Sequence, residues 1–374
     1  MSENFFCMKP ARFFYCFFLL ALAMVLFQSC RFLSGDVNLG SPTKPFEKLS
    51  EYHFFKGEMN LLQPNKQVLP YDLISALFTD YAHKARFVYL PENTSVTYQT
   101  EDALDLPAGG CYIKNFYYPF DFREPRKGRK IIETRLLIHR ENGWEALPYI
   151  WNEEQTEATL EVAGDVQAVS WIHHDGTKKE IDYVVPNKNQ CKSCHWNNAS
   201  ARISPIGPKI NNLNRDLEYS DGTQNQIAKW ASVGFLKGEP KDISSCPKIA
   251  DYNNPKETLD SRARAYLEIN CAHCHKPTGP AYTSGLFLNY DNENPEHLGI
   301  CKSPVAAGKG TGGFLADIVP GNHKASILSF RMESNDAGIR MPELGRSVIH
   351  EEGVALINQW IDAMQASNCN GLVK

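Results

Sequence analysis

Hydrophobic and polar positions along this chain change period about halfway. From 67 to 185 they alternate as strands do. Tyr112 to Tyr118, Lys130 to His139, Trp144 to Trp151, Ala158 to Val162, Ala168 to His174 and Lys179 to Val185 are rich in β-branched and aromatic residues. Glu141-Asn142-Gly143 separates the second and third runs, and Asp175-Gly176 separates the last two. Asn-Gly and Asp-Gly between such runs are strong short-range hairpin signals. The pattern predicts an antiparallel sheet or sandwich.

Beyond 186 the period lengthens. Thr223 to Val233 reads as a short helix with Ile227, Trp230 and Ala231 on one side. Leu259, Ala263, Tyr266 and Leu267 mark a helix that ends at Asn270, and Val354, Ile357, Ile361 and Met364 mark a closing one. Ser347 is the expected N-cap of the closing helix, and Glu351 and Glu352 put negative charge where its dipole favours it. The expected fold class is α+β: a β-rich domain, an irregular segment, then an α-helical class I cytochrome c-like domain.

At the amino end Lys9 and Arg12 precede an apolar run from Phe13 to Phe27. The run is shorter than the ~20 residues of a membrane span but suits a signal peptide. It ends in Phe27-Gln28-Ser29-Cys30, which resembles a lipobox, so cleavage before Cys30 and acylation of its thiol are expected. Phe27 is bulky for that motif, and an uncleaved signal anchor is the alternative. The expected organisation is a lipoprotein signal peptide over 1–29 and a tether and lead-in over 30–66. The β-rich domain then takes 67–185, a first haem-binding segment 186–254, and the cytochrome c-like domain 255–370. A formal net charge of -4 supplies no basic face for nucleic acid.

Two pentapeptides carry the chemistry: Cys191-Lys192-Ser193-Cys194-His195 and Cys271-Ala272-His273-Cys274-His275. Cys-x-x-Cys-His is the attachment site of a c-type haem, with two thiols for two vinyl groups and an adjacent imidazole for the iron. A zinc ribbon repeats its Cys pairs about 15–20 residues apart, far closer than these. A thioredoxin-like pair needs a βαβ context, which is missing here. Two covalent haems are therefore expected, with His195 and His275 as axial ligands.

Met341, in Arg340-Met341-Pro342, sits in the last loop before the closing helix, where a thioether would complete the second haem. It could equally be a packed apolar residue, and Met332 is its rival. The first motif has no Met downstream until Met332. Its sixth ligand could be His173, His174, His297, His323, Met59, another residue, or nothing. Setting aside the signal, Cys30 and the haem thiols leaves Cys111, Cys246, Cys301 and Cys369. These allow three complete pairings, and Cys111 reads equally as a buried free thiol.

Several ordered blocks carry a family resemblance. They are the stretch from Tyr71-Asp72-Leu73 through Arg86-Phe87-Val88-Tyr89-Leu90-Pro91, Glu133-Thr134-Arg135-Leu136, Gly143-Trp144-Glu145-Ala146-Leu147, the run from Asn189 to His195, Ile206-Gly207-Pro208-Lys209, Arg262 to His275, and Met341 to Trp360. Over nearly all of the mature chain this resembles exported bacterial diheme c-type cytochromes of unassigned function. The resemblance implies two covalent haems and electron transfer; with the signal and Cys30 the expectation is a periplasmic, lipid-anchored carrier between redox partner proteins. It supplies no substrate and no catalytic residue. A peroxidase-like oxidoreductase with an open first haem is the rival reading.

Overall fold

A computed structural model describes residues 35–41, 43–305 and 307–371, so the expected signal peptide and Cys30 lie outside the described residues. The fold is mixed α and β around a large antiparallel sheet. Its six strands follow chain order: β1 Val68–Tyr71, β2 His83–Tyr89, β3 Cys111–Pro119, β4 Arg129–Arg140, β5 Gly143–Trp151 and β6 Ala158–Leu160. A separate hairpin, β7 Asp165–Ile172 and β8 Lys178–Val185, pairs antiparallel through its whole length. Gly143 and Gly176 both take positive φ at the two hairpin turns, which is the conformational freedom those turns require. No helix among the described residues is long and apolar enough to cross a membrane.

Alternation divides the sheet into two faces. One is mostly apolar: Phe87, Ile113, Leu136, Leu147 and Tyr149 meet Leu49, Tyr52, Phe54 and Phe55 in one core, which also holds the buried pair Thr134 and Asn115, bonded at 2.6 Å. Burying each such side chain stabilises the fold by ~1.5–3 kcal/mol. The Tyr52 and Tyr149 hydroxyls bond at 2.9 Å inside it. The reading of 30–66 as tether and lead-in is corrected here. From Leu49 onward this stretch is a layer of the core, with Tyr52 fully buried.

The second face is apolar only at its ends. At one end Val88 and Tyr112 pack on Ile227 and Trp230. At the other, Phe116, Tyr118 and Ile132 pack on Trp171 and Tyr183 of the hairpin. The middle of this face lies under the helix α1 Lys188–His195, which contains the first Cys-x-x-Cys-His. The expectation of an irregular segment at this motif therefore fails. Asn187 and Gln190 form a reciprocal capping box that starts the helix, although it has no apolar stripe.

Helix α2 Gln226–Ser232 packs on the end of the sheet, and three further helices position the second motif: α3 Leu259–Asn270, α4 Ile327–Met332 and α5 Glu351–Asp362. The Thr258 hydroxyl accepts from Ser261 N–H and caps α3, whose last turn delivers Cys271. Ala263, Tyr266 and Leu267 of α3 pack against Leu356, Ile357, Trp360 and Ile361 of α5. Gly353 permits this approach, because a Cβ there would strike the Tyr266 ring.

Ser347 is not the N-cap of α5, which begins at Glu351 with His350 at the cap position. Its hydroxyl donates instead to the buried Asp80 carboxylate at 2.8 Å, and Ser347 N–H and Val348 N–H donate to the same group at 2.7 and 3.0 Å. Asp80 thereby ties the approach to β2 to the approach to α5.

Cys301 and Cys369 form a disulfide across 68 residues, while Cys111 and Cys246 are buried free thiols. Closing a loop that long restricts the unfolded chain by about 4 kcal/mol in the loop-entropy treatment. The double variant Cys301→Ser, Cys369→Ser should therefore lose ~2–4 kcal/mol in urea denaturation. A loss below ~1 kcal/mol would show that the crosslink contributes little.

Candidate functional site

A cavity of about 600 Å³ is lined by both the sheet and the helical half of the chain. That lies within the ~300–1,000 Å³ range of cofactor and small-molecule sites. Cys191, Cys194 and His195 enter it from α1, Cys271 and His275 from the end of α3, and Met341 from the loop before α5. Cys274 lies against Cys194. Six of the seven haem-site residues expected from sequence thus line one space, with Cys274 beside Cys194.

Helical spacing presents the first set. Cys191, Cys194 and His195 stand at i, i+3 and i+4 of α1 and share one face. The second set follows a tight turn in which Cys274 and His275 N–H groups both donate to Cys271 O, at 3.1 and 2.9 Å. The chain after each motif is laced to the other. Asn198 N–H donates to Thr278 O at 2.9 Å, and its side-chain amide donates to Gly279 O at 2.6 Å. Gly279 is required there, since a Cβ would meet the Cys274 carbonyl.

The two terminal histidines are set alike. His195 Nδ1 lies 2.9 Å from Ser204 O, and a carbonyl can only accept, so Nδ1 carries the proton. His275 Nδ1 lies 3.1 Å from Ser284 Oγ, whose own proton goes to Ala281 O at 2.7 Å. That nitrogen is therefore also the donor. Both imidazoles keep the Nε2 lone pair free, the arrangement a ligating histidine needs. Burial pushes each of them down to about 4, so both are neutral near pH 7.

The thiols differ among themselves. Burial pushes Cys271 up to about 12. A hydrogen bond from Cys274 holds Cys194 down and Cys274 correspondingly up, and His273 adds a second bond to Cys194. Among the described residues, no three His, Cys, Asp or Glu side chains converge as ligands for a bare metal ion.

None of the five residues considered as a sixth ligand for the first motif lines the cavity. Met59 packs on the sheet core, and His173 and His174 sit in the aromatic cluster of Phe122. His297 lies edge-on to Phe287, and His323 pairs with Asp362 at 2.7 Å. Two histidines that sequence reading overlooked do line it, His273 and His350. His273 Nδ1 is buried with no hydrogen-bond partner among the described residues. His350 stacks on Phe78 with ring centroids 4.1 Å apart and shares a 3.2 Å hydrogen bond with Tyr266. Burial pushes it down to about 4. The first was hidden inside a motif already assigned, and the second falls in an unremarkable helix start.

No protein-family model, no curated protein and no solved structure matches this chain.

Proposed function

We propose that this chain is a periplasmic diheme c-type cytochrome, held to a membrane by a lipid on Cys30, that carries electrons between redox partner proteins. The observation that supports it most is the matched state of His195 and His275. Each has Nδ1 tied to the chain and Nε2 free, beside a pair of thiols and facing one cavity. Cys191 and Cys194 would attach the first haem and Cys271 and Cys274 the second, with His195 and His275 as axial ligands and Met341 completing the second site. The order α3, second motif, Met341 loop, α5 fits a class I cytochrome c-like unit.

Bound haem supplies a one-electron iron couple; the chain supplies ligation, burial and orientation. His195 and His275 can do this without a proton change, because burial already keeps them neutral. The contact between Cys194 and Cys274 sets the two attachment points side by side, which favours exchange between the haems over separate operation.

Haem staining of a denaturing gel and pyridine haemochrome quantitation test the reading. The mature chain should carry two haems, and the variant Cys191→Ala, Cys194→Ala should carry one. A chain without covalent haem sinks the proposal. The second reading, a peroxidase-like oxidoreductase at an open first haem, draws on the absence of His173, His174, His297, His323 and Met59 from the cavity lining. Carbon monoxide binding at the first haem together with peroxide turnover of ~1–1,000 per second would favour it.

A further inference from the structure

Between its two apolar ends, the second face of the sheet carries a row of cations. Arg86 on β2, Lys114 on β3 and Arg135 on β4 stand directly opposite one another in the strand register. Like charges in such positions repel. Lys84 follows on the same face, opposite Phe116. The neighbours answer this charge only in part. Asp72 pairs with Arg86 at 2.9 Å, and Glu133 accepts from Arg135 Nε at 2.8 Å. Lys84 Nζ donates to Leu77 O at 2.8 Å.

Lys114 is left over. Its Nζ makes no hydrogen bond or ion pair among the described residues and lies 5.3 Å from the centre of the Phe116 ring. The same ring already faces Lys84 and Arg135. Lys114 lines the 600 Å³ cavity beside Cys194 and His195, and also a smaller cavity of about 100 Å³ on which the same two residues border. Lys209 and Lys276 add to the smaller one, and its single lining carboxylate, Glu268, is held by Lys209 at 2.8 Å. A partly buried ammonium without an anion is a cost to the fold, and burial pushes Lys114 down to about 7, a shift that a carboxylate beside it would reverse. Among the described residues no carboxylate pairs with Lys114; Glu133 acts on it only at longer range.

We propose that Lys114, flanked by Arg86 and Arg135, binds a propionate carboxylate of the haem carried at the first motif. The inference rests on the reading that Cys191, Cys194 and His195 hold a haem. Such a haem brings ionised carboxylates into a half-buried space, and each needs a cation as much as Lys114 needs an anion. It also explains why the sheet keeps a row of three cations under this one helix.

The test uses the full chain with both haems. Lys114→Met should keep two covalent haems, lower the potential of the first and shift its propionate bending mode in the resonance Raman spectrum. The direction follows because an unneutralised carboxylate favours oxidised iron. Lys114→Arg should retain the wild-type potential and mode. In chains that lack the first haem through Cys191→Ala and Cys194→Ala, Lys114→Met should raise the melting temperature, since only repulsion is removed. In the two-haem chain it should not. An unchanged potential and Raman mode in Lys114→Met, or a raised melting temperature in both backgrounds, overturns the inference. So does a change in the first haem's axial-ligand EPR signal, which would make Lys114 a ligand. Lys114→Gln gives the same readouts if the Met variant does not fold. Absence of haem at the first motif is seen in the haem count before any Lys114 variant is made. That result sinks the functional reading and this inference with it.

Discussion

Met341→Ala is expected to abolish the weak sulfur-to-iron charge-transfer band of the oxidised protein and to lower the potential of the second haem. A thioether favours reduced iron, and axial ligands command a span of roughly 0.8 V, so the fall should be a substantial part of that range. Met332→Ala should behave differently. Met332 borders the same cavity but is buried in the core formed by Ile318, Leu356 and Ile357, so its truncation leaves a void. That costs ~2–5 kcal/mol but spares the band. Met341 is half-exposed and lines the cavity, with its N–H anchored to Arg331 O at 3.0 Å. Loss of the band in Met332→Ala alone would reverse the assignment. Absorbance of the oxidised protein and a spectroelectrochemical titration decide between them.

The sheet was legible because its turns are local. Glu141-Asn142-Gly143 and Asp175-Gly176 fix two hairpins by their own backbone preferences, and β3 to β8 fall within a few residues of the expected runs. Strands β1 and β2 were less so. Val68–Tyr71 is short and contains Pro70, and β2 places Lys84 and Arg86 on a face that the sheet covers. Charge at such positions argues against burial until something else in the fold calls for it. The lead-in was missed for a related reason. Leu49, Tyr52, Phe54 and Phe55 follow no single period, so their place in the core depends on the sheet they cover.

Local and distant partners also compete for the same side chain. Ser347 has the chemistry of an N-cap, but Asp80, 267 positions away, takes its hydroxyl. In contrast, α1 announced itself only through Asn187 and Gln190, a three-residue signal that the missing apolar stripe concealed. The site divides in the same way. Seven residues could be nominated from sequence because Cys-x-x-Cys-His and a Met before the last helix are patterns read along the chain. Lys114, His273 and His350 join them only through packing. Cysteine pairing belongs to that second kind, since spacing left three solutions and the fold joins Cys301 to Cys369.

Arg346 should prove as important to the proposed second haem as a ligand, although its role is to hold the chain. Arg346→Met is expected to destabilise the protein by roughly 3–5 kcal/mol and to weaken the sulfur-to-iron band. The side chain is almost wholly buried, and no carboxylate pairs with it among the described residues. Carbonyls satisfy it instead. Its Nη2 donates to Ser334 O at 2.8 Å, Met341 O at 3.0 Å, and Arg331 O and Met332 O at 3.3 Å. Its Nε reaches Met341 O at 3.2 Å, and Nη1 reaches Asn335 Oδ1 at 3.1 Å and Val348 O at 3.3 Å. One planar cation therefore gathers the end of α4, the Met341 loop and the approach to α5. Removing it strands buried carbonyls, each worth ~1–3 kcal/mol when unpaired, and frees the loop that presents the thioether. Arg346→Lys keeps the charge but cannot span so many acceptors from one nitrogen, so it should restore stability only in part and leave the band weak. Urea denaturation and the absorbance of the oxidised protein measure the two effects separately. A full-strength band in Arg346→Met, with a stability loss under ~1 kcal/mol, would show that the Met341 loop holds its place without this clamp.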